Sequence, residues 1–278
     1  MFARRTQKTN QIQPVPDVTV AEMSLAAREA LRSYTPARLG LERTGVSLAT
    51  RPLLDFQLAH ARARDAVHAP LDTAALAGEL APLPTVFVTS AAGDRGTYLR
   101  RPDLGRMLAS GSGEQLAGVD GGHDVAIVIG DGLSATGVQT GAAQLVRALV
   151  AELDGLTLAP IVIATGARVA LGDAIGEILR ARATIMVIGE RPGLTVADSL
   201  GIYLTFGPRL GRADSERNCI SNIHANGGLS PAQAASLLGR LLREALRRGL
   251  SGVDLKDDAD ALPAPDSFLI DQPDGNPE

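Results

Sequence analysis

The sequence is short of the residues that most soluble chemistry uses. Its 278 residues include one cysteine, no tryptophan, four histidines and only 3% aromatics. A single thiol, Cys219, cannot close an internal disulfide, which excludes a secreted disulfide scaffold. It equally excludes a multi-cysteine zinc or iron–sulfur cage. The histidines are His60, His68, His123 and His224. No two stand at H-x-x-x-H spacing, so no metal ligands are assigned. No apolar run approaches the ~18 residues of a membrane-spanning helix, and membrane insertion is not expected. Neither sign of charge is in large excess: Lys+Arg 27 against Asp+Glu 31 leaves a net charge of −4. That balance gives no basic field for nucleic acid.

What is present describes a globular chain. It is 45% hydrophobic and 21% charged, and long enough for one large domain or two smaller ones. Residues 1–17 are read as a flexible N-terminus. Arg4 and Arg5 are followed by no apolar core segment, so no signal peptide is read and a cytoplasmic location is expected. Residues 254–278 combine Asp254, Asp257, Asp258 and Asp260 with Pro263, Pro265, Pro273 and Pro277, and are read as an acidic flexible tail.

Between the ends the sequence has two rhythms. Residues 18–110 are read as a mainly helical N-terminal domain, with Leu54, Leu58 and Ala61 sharing one helix face. The stretch 34-YTPARLGLERTGVSLATRP is punctuated by Gly, Pro and Thr, and is read as ordered loop. From Thr85 onward short β-branched runs appear: 85-TVFVT, 124-DVAIVIG, 160-PIVIAT, 184-TIMVIG and 202-IYLTF. Helical patterns lie between them, as in 143-AQLVRALVAEL and 173-DAIGEILRAR. The alternation predicts an α/β fold with a mostly parallel, doubly wound, Rossmann-like sheet, assigned as a domain over 111–253. Its last helix is predicted from Ser230 as N-cap, Pro231 in first position, Gln233 completing a capping box and Gly249 as C-cap.

Ligands of such sheets bind beyond the carboxyl ends of the strands. Four Gly-rich polar segments follow strands or stand as loops: 130-GDGLSATG, 166-GARVALGD, 189-GERPGLTVADS and 217-RNCISNIHANGG. Gly130, Gly132 and Ala135 match G-x-G-x-x-A, and Glu152 stands where a ribose-binding acid is expected. That pattern supports one reading, a stand-alone dinucleotide-binding oxidoreductase. Against it, Asp131 places a carboxylate beside any pyrophosphate. The plainer reading of the same turn is a Gly-permitted strand-to-helix connection capped by Asp131 or Ser134. The run Gly132-Leu133-Ser134-Ala135-Thr136 lacks the final Gly of a nucleophile elbow, and no phosphate loop occurs. Cys219 has Arg217 close by, which would lower a thiol pKa. Arg95, Arg100, Arg101 and Arg106 form the densest basic cluster. A non-catalytic small-molecule binding protein is a third reading.

Several separate motifs resemble one family. The stretches 33-SYTPARLGLERTG, 98-YLRRPDLGR, 131-DGLSATG, 189-GERPGL and 218-NCISNIH are similar to those of the ethanolamine ammonia-lyase small (light) subunit, in order and spacing from about Ser33 to Val253. The resemblance implies adenosylcobalamin-dependent radical chemistry, in which ethanolamine becomes acetaldehyde and ammonia. It implies a large catalytic subunit as partner, a higher-order hetero-oligomer, and a cofactor held jointly at the interface. It implies three cofactor-binding positions here, Val169, Glu190 and Cys219, and no catalytic residue on this chain. Arg168, Ser134, Ser221 and Asn222 are further candidates for the amide rim of the corrin. The D-x-H-x-x-G signature that supplies a protein histidine to cobalt is missing, so the cofactor is expected to keep its own lower base. Some family members carry an N-terminal helix that directs them to a bacterial microcompartment. Residues 1–20 show no such pattern, which leaves the microcompartment as the alternative to free cytoplasm.

Overall fold

The computed structural model describes residues 25–35 and 37–256. The expectations for 1–17, and for the tail from 257 on, lie outside the described residues. The chain forms two compact units that meet between Ala59 and His60.

The first unit holds α1 (Leu25–Tyr34), a small antiparallel hairpin of β1 (Arg43–Thr44) and β2 (Ser47–Leu48), and the start of α2 (Thr50–His68). The hairpin lies in the stretch predicted as loop. Gly45, with φ +62°, supplies the positive φ that a two-residue hairpin loop needs. Strands of two residues leave too little alternation to read from sequence. The expected apolar stripe of α2 is not part of this chain's core: Leu54 is 57% and Leu58 51% exposed, whereas Ala63 and Ala66 are buried. Spacing shows which residues share a face, not what covers it.

The second unit is built on one six-stranded sheet. Its elements are α3 (Thr73–Leu80), β3 (Thr85–Thr89), α4 (Arg95–Arg100), α5 (Ser110–Ala117), β4 (Val125–Gly130), α6 (Ala135–Glu152), β5 (Ile161–Thr165), α7 (Leu171–Ile178), β6 (Ala183–Gly189), β7 (Leu200–Phe206), β8 (Arg217–Ile223) and α8 (Pro231–Arg248). The strand order is β3-β5-β4-β6-β7-β8. The first three pairings are parallel and the last two antiparallel. Every residue of β4 and β6 is buried, because helices cover both faces of the parallel part. On one face Ile127, Ile129 and Val187 pack with Leu145 and Leu149 of α6 and with Leu238 and Leu242 of α8. On the other, Ala126, Val128 and Met186 pack with Leu116 of α5 and Leu171 and Ile175 of α7. The mixed, mostly parallel, doubly wound fold is therefore the one the alternation predicts.

Two details differ from the sequence expectation. The change of architecture was placed near residue 110, yet β3, at 85–89, is already a strand of the large sheet. The segment from Arg217 was read as loop and forms β8, the edge strand. Polar outward residues on an edge strand look like loop residues, and only Arg217, Ile220 and Ile223 turn inward. α8 has the predicted ends: Ser230 accepts from Gln233 N, Gln233 reaches back to Ser230 N, and Gly249 adopts φ +71°.

Candidate functional site

The connections leaving β4 and β6 diverge. β4 leads through α6 to β5 on one side, and β6 leads to β7 on the other. Such a divergence opens a crevice at the carboxyl edge of a sheet. Two clefts lie there. One, of about 450 Å³, is walled by Leu133, Arg168, Val169, Ile188, Glu190 and Tyr203, among others. The second, of about 410 Å³, is walled by Arg106, Arg168, Val169, Tyr203, Asp214 and Cys219, among others. They share Arg168, Val169 and Tyr203. The three residues chosen from the sequence thus come together: Val169 borders both clefts, Glu190 the first and Cys219 the second.

Val169 sits on the turn between β5 and α7, and that turn is held by Asp131. The carboxylate accepts from Gly166 N at 2.9 Å and from Ala167 N at 2.8 Å. Its side chain is only 10% exposed. Burial pushes the Asp131 carboxyl above its ordinary range, against the pull of those two N–H groups and of Arg95. Arg95 Nη1 lies 3.4 Å from Asp131 Oδ2 and donates to Gly132 O at 2.8 Å.

Glu190 follows the last residue of β6. Ser199 Oγ donates to its Oε2 at 2.6 Å, and Asn222 N lies 3.3 Å from the same oxygen. Gly201 leaves the space the side chain occupies, because a Cβ there would stand 2.9 Å from Oε1. Asn222 reaches this contact with φ +63°, a left-handed conformation that Asn tolerates better than most residues. Two strands therefore orient one carboxylate, and an ionised carboxylate has lone pairs to spare for further donors.

Cys219 stands in β8 directly across from Tyr203 in β7, so that each group bears on the other's ionisation. Desolvation pushes the thiol above its ordinary value. The Tyr203 hydroxyl works against that shift and the Glu190 charge adds to it. Desolvation, with Cys219 and Glu190 adding to it, raises the Tyr203 phenol to about 12. Arg217 does not activate the thiol, contrary to the sequence reading. Its side chain is 2% exposed and its Nη1 lies 2.6 Å from Asp173 Oδ1. A thiol with a raised pKa is a small polarizable surface rather than a poised nucleophile.

The structure also shows what the motifs do not contribute. Ser134 is fully buried, accepts from Gly137 N and donates to Ala197 O, so it caps α6 and faces no cleft. The dinucleotide turn is closed. Gly132 has φ +57°, and a Cβ on it would stand 2.2 Å from Gly189 O. Leu133 N already donates to Gly189 O, and the backbone of Asp198 lies against Gly137 in the first turn of α6. The glycines serve loop packing, and no pyrophosphate can reach the helix end. Glu152 is at the far end of α6, paired with Arg243. His224 lines neither cleft, and both its ring nitrogens are engaged locally, Nε2 with Asn222 Oδ1 and Nδ1 with Asn226 N. A separate cavity of about 270 Å³ includes His68, Ser90, Arg95 and Asp131 in its wall. It contains none of Val169, Glu190 and Cys219.

The sequence reading missed Tyr98 and Tyr203. Tyr98 is buried, donates to Ala167 O at 3.1 Å, and carries the guanidinium groups of Arg95 and Arg168 over its ring at 4.7 and 4.3 Å. Its place three residues after Arg95 on α4 was the available signal. For Tyr203 the signal was strand alternation, which puts it on the opposite face from Ile202 and Leu204. Among the described residues no group of three or more His, Cys, Asp or Glu is placed to hold a metal ion. Among them, too, no helix is long and apolar enough to cross a membrane.

A model of the ethanolamine ammonia-lyase light-chain family matches residues 26–256. The chain belongs to that family. Three proteins described as ethanolamine ammonia-lyase small subunit show the same relationship. The one from Xanthomonas campestris is 50% identical over 86% of this chain and 94% of its own length. That from Rhodopseudomonas palustris is 55% identical over 82% and 89%. That from Bradyrhizobium diazoefficiens is 55% identical over 84% and 92%. The ammonia-lyase light-chain match spans both compact units, so the oxidoreductase reading of the 130-GDGLSA turn is set aside on two grounds, the family and the closed turn.

Proposed function

We propose that this chain is the small subunit of an adenosylcobalamin-dependent ethanolamine ammonia-lyase and holds one side of the cofactor against a large catalytic subunit. One observation carries the reading. Val169, Glu190 and Cys219, drawn from three separate segments, border one continuous pair of clefts. The residues suit a corrin, which is a broad apolar disc rimmed with amides. Val169, Leu133 and Ile188 offer an apolar floor, Glu190 an oriented acceptor for amide N–H groups, and Cys219 a polarizable edge. Each cleft is far too small to enclose a cobalamin, which supports a cofactor shared with a second subunit.

When bound, adenosylcobalamin supplies the radical that initiates conversion of ethanolamine to acetaldehyde and ammonia. This chain's part is to bind and orient it and to exclude water from the covered face. No histidine of the chain is assigned to cobalt, so the cofactor keeps its own lower base. Spin-resonance splitting from a protein histidine nitrogen in the loaded complex would overturn that assignment. The substrate-binding groups belong to the large subunit, the complex is a higher-order hetero-oligomer, and its place is the cytoplasm, with a microcompartment as the alternative.

The decisive experiment is co-expression with the partner large subunit, followed by addition of adenosylcobalamin. Ethanolamine-dependent acetaldehyde is the expected product. Its absence from an assembled, corrinoid-loaded complex overturns the reading.

A further inference from the structure

Arg168 lines both clefts beside Val169, and its charge is unanswered. Among the described residues no carboxylate lies within ion-pair distance of it. Its side chain makes one long hydrogen bond among those residues, from Nη2 to Tyr98 O at 3.4 Å. Nε is buried with no partner. Two neighbouring arginines are different: Arg217 is paired with Asp173 and Arg95 with Asp131.

The group is nevertheless fixed. Its guanidinium lies over the Tyr98 ring at 4.3 Å, and the Tyr98 hydroxyl is tied to Ala167 O. Arg168 N donates to Gly105 O at 2.8 Å, and a Cβ on Gly105 would stand 2.8 Å from Arg168 Cγ. The stem therefore fills the space that Gly105 leaves. A guanidinium has five donors and no acceptor. Stacked, partly desolvated and with donors unused, it is prepared for an acceptor oxygen at low entropic cost.

We propose that Arg168 is a further cofactor-binding residue, whose Nη donors bind an acceptor oxygen of the corrinoid. The proposal rests on the cobalamin reading above. The oxygen is either a phosphate oxygen of the nucleotide loop or a carboxamide oxygen of the corrin rim. Glu190, on the same cleft, can only accept when ionised. The two residues would thus sort the cofactor's edge, oxygen toward Arg168 and N–H toward Glu190, and fix its rotation in the cleft.

The test uses the complex with the large subunit, carrying wild-type chain, Arg168→Gln or Arg168→Lys. Dissociation constants for cobalamin, and for cobinamide, which lacks the nucleotide loop and its phosphate, are measured by equilibrium dialysis. Assembly and thermal midpoint are recorded for each variant. Arg168→Gln should weaken cobalamin about ten- to a hundredfold, the range for a charge-assisted hydrogen bond. If cobinamide affinity is unchanged by the substitution, the acceptor is phosphate. If both affinities fall by the same factor, it is a rim carboxamide. Wild-type affinity for both corrinoids in an assembled Arg168→Gln complex overturns the proposal. Should that variant fail to assemble, Arg168→Lys keeps the cation and loses the fork. A loss of affinity then supports the proposal, and unchanged affinity for both corrinoids overturns it. A wild-type complex that binds neither corrinoid sinks the cofactor reading itself, so the two failures are separable.

Discussion

Asp131 Oδ1 accepts the backbone N–H of Ala167 at 2.8 Å, and through that bond the end of β4 holds the turn that presents Arg168 and Val169. The acid that argued against a dinucleotide site is thus a structural clamp. Asp131→Ala should destabilise the chain by about 2–4 kcal/mol, because it orphans the N–H groups of Gly166 and Ala167 and leaves Arg95 without its carboxylate. It should also weaken corrinoid binding by loosening the turn. Urea denaturation checks the first effect, and a loss below about 1 kcal/mol would show that the turn holds itself.

Glu190→Ala should weaken cobalamin binding by about 1–3 kcal/mol, the cost of leaving a buried donor of the ligand unpaired. Ser199→Ala, which removes the 2.6 Å bond to Oε2, should shift affinity in the same direction by less. Titration of the assembled complex measures both. Unchanged affinity in Glu190→Ala removes that residue from the site.

The Cys219 thiol should alkylate slowly near neutral pH, with a rate midpoint above that of an ordinary thiol. Two substitutions test the cause with opposite signs. Glu190→Gln removes a negative charge that disfavours thiolate, so the midpoint should fall. Tyr203→Phe removes the hydroxyl that favours thiolate, so it should rise. Bound cobalamin should protect the thiol. Iodoacetamide kinetics against pH give all three results, and a midpoint unmoved by Glu190→Gln counts against the Glu190 contribution.

Gly132→Ala should be among the most damaging small substitutions, at about 3 kcal/mol or more. The residue has φ +57°, and its new Cβ would meet the Gly189 carbonyl oxygen at 2.2 Å. Gly155→Ala, with φ +84° but nothing within 4 Å, isolates the backbone cost and should be milder. Thermal midpoints of the two variants make the comparison. Equal losses would show that the close approach of the two loops contributes nothing.

The legible parts of the fold were those where one local rule decides. All five β-branched runs are strands, and the middle three, β4, β5 and β6, are unbroken apolar runs because parallel strands covered on both faces need them. α8 starts and stops where its capping box and Gly249 put the ends. Less legible were elements whose form depends on neighbours. β8 reads as loop because most of its residues stay at least partly exposed at the sheet's edge, and the β1–β2 hairpin is too short to carry a period. Spacing showed that Leu54, Leu58 and Ala61 of α2 share a face, and only the structure shows that Leu54 and Leu58 stay exposed.

For the site, the sequence by itself determined which residue types stand where. It supplied Val169, Glu190 and Cys219 through motif resemblance, and it excluded disulfide and metal-cage chemistry through one cysteine and four scattered histidines. Only the tertiary structure decided that those three residues share one pair of clefts. It also decided that Arg168, unlike its neighbours Arg95 and Arg217, is left without a carboxylate, and that the Gly132 turn is closed. The reason is physical. Residue type fixes what a side chain can donate or accept, whereas pairing, burial and reach depend on segments brought side by side by β5, β6 and β8, far apart along the chain.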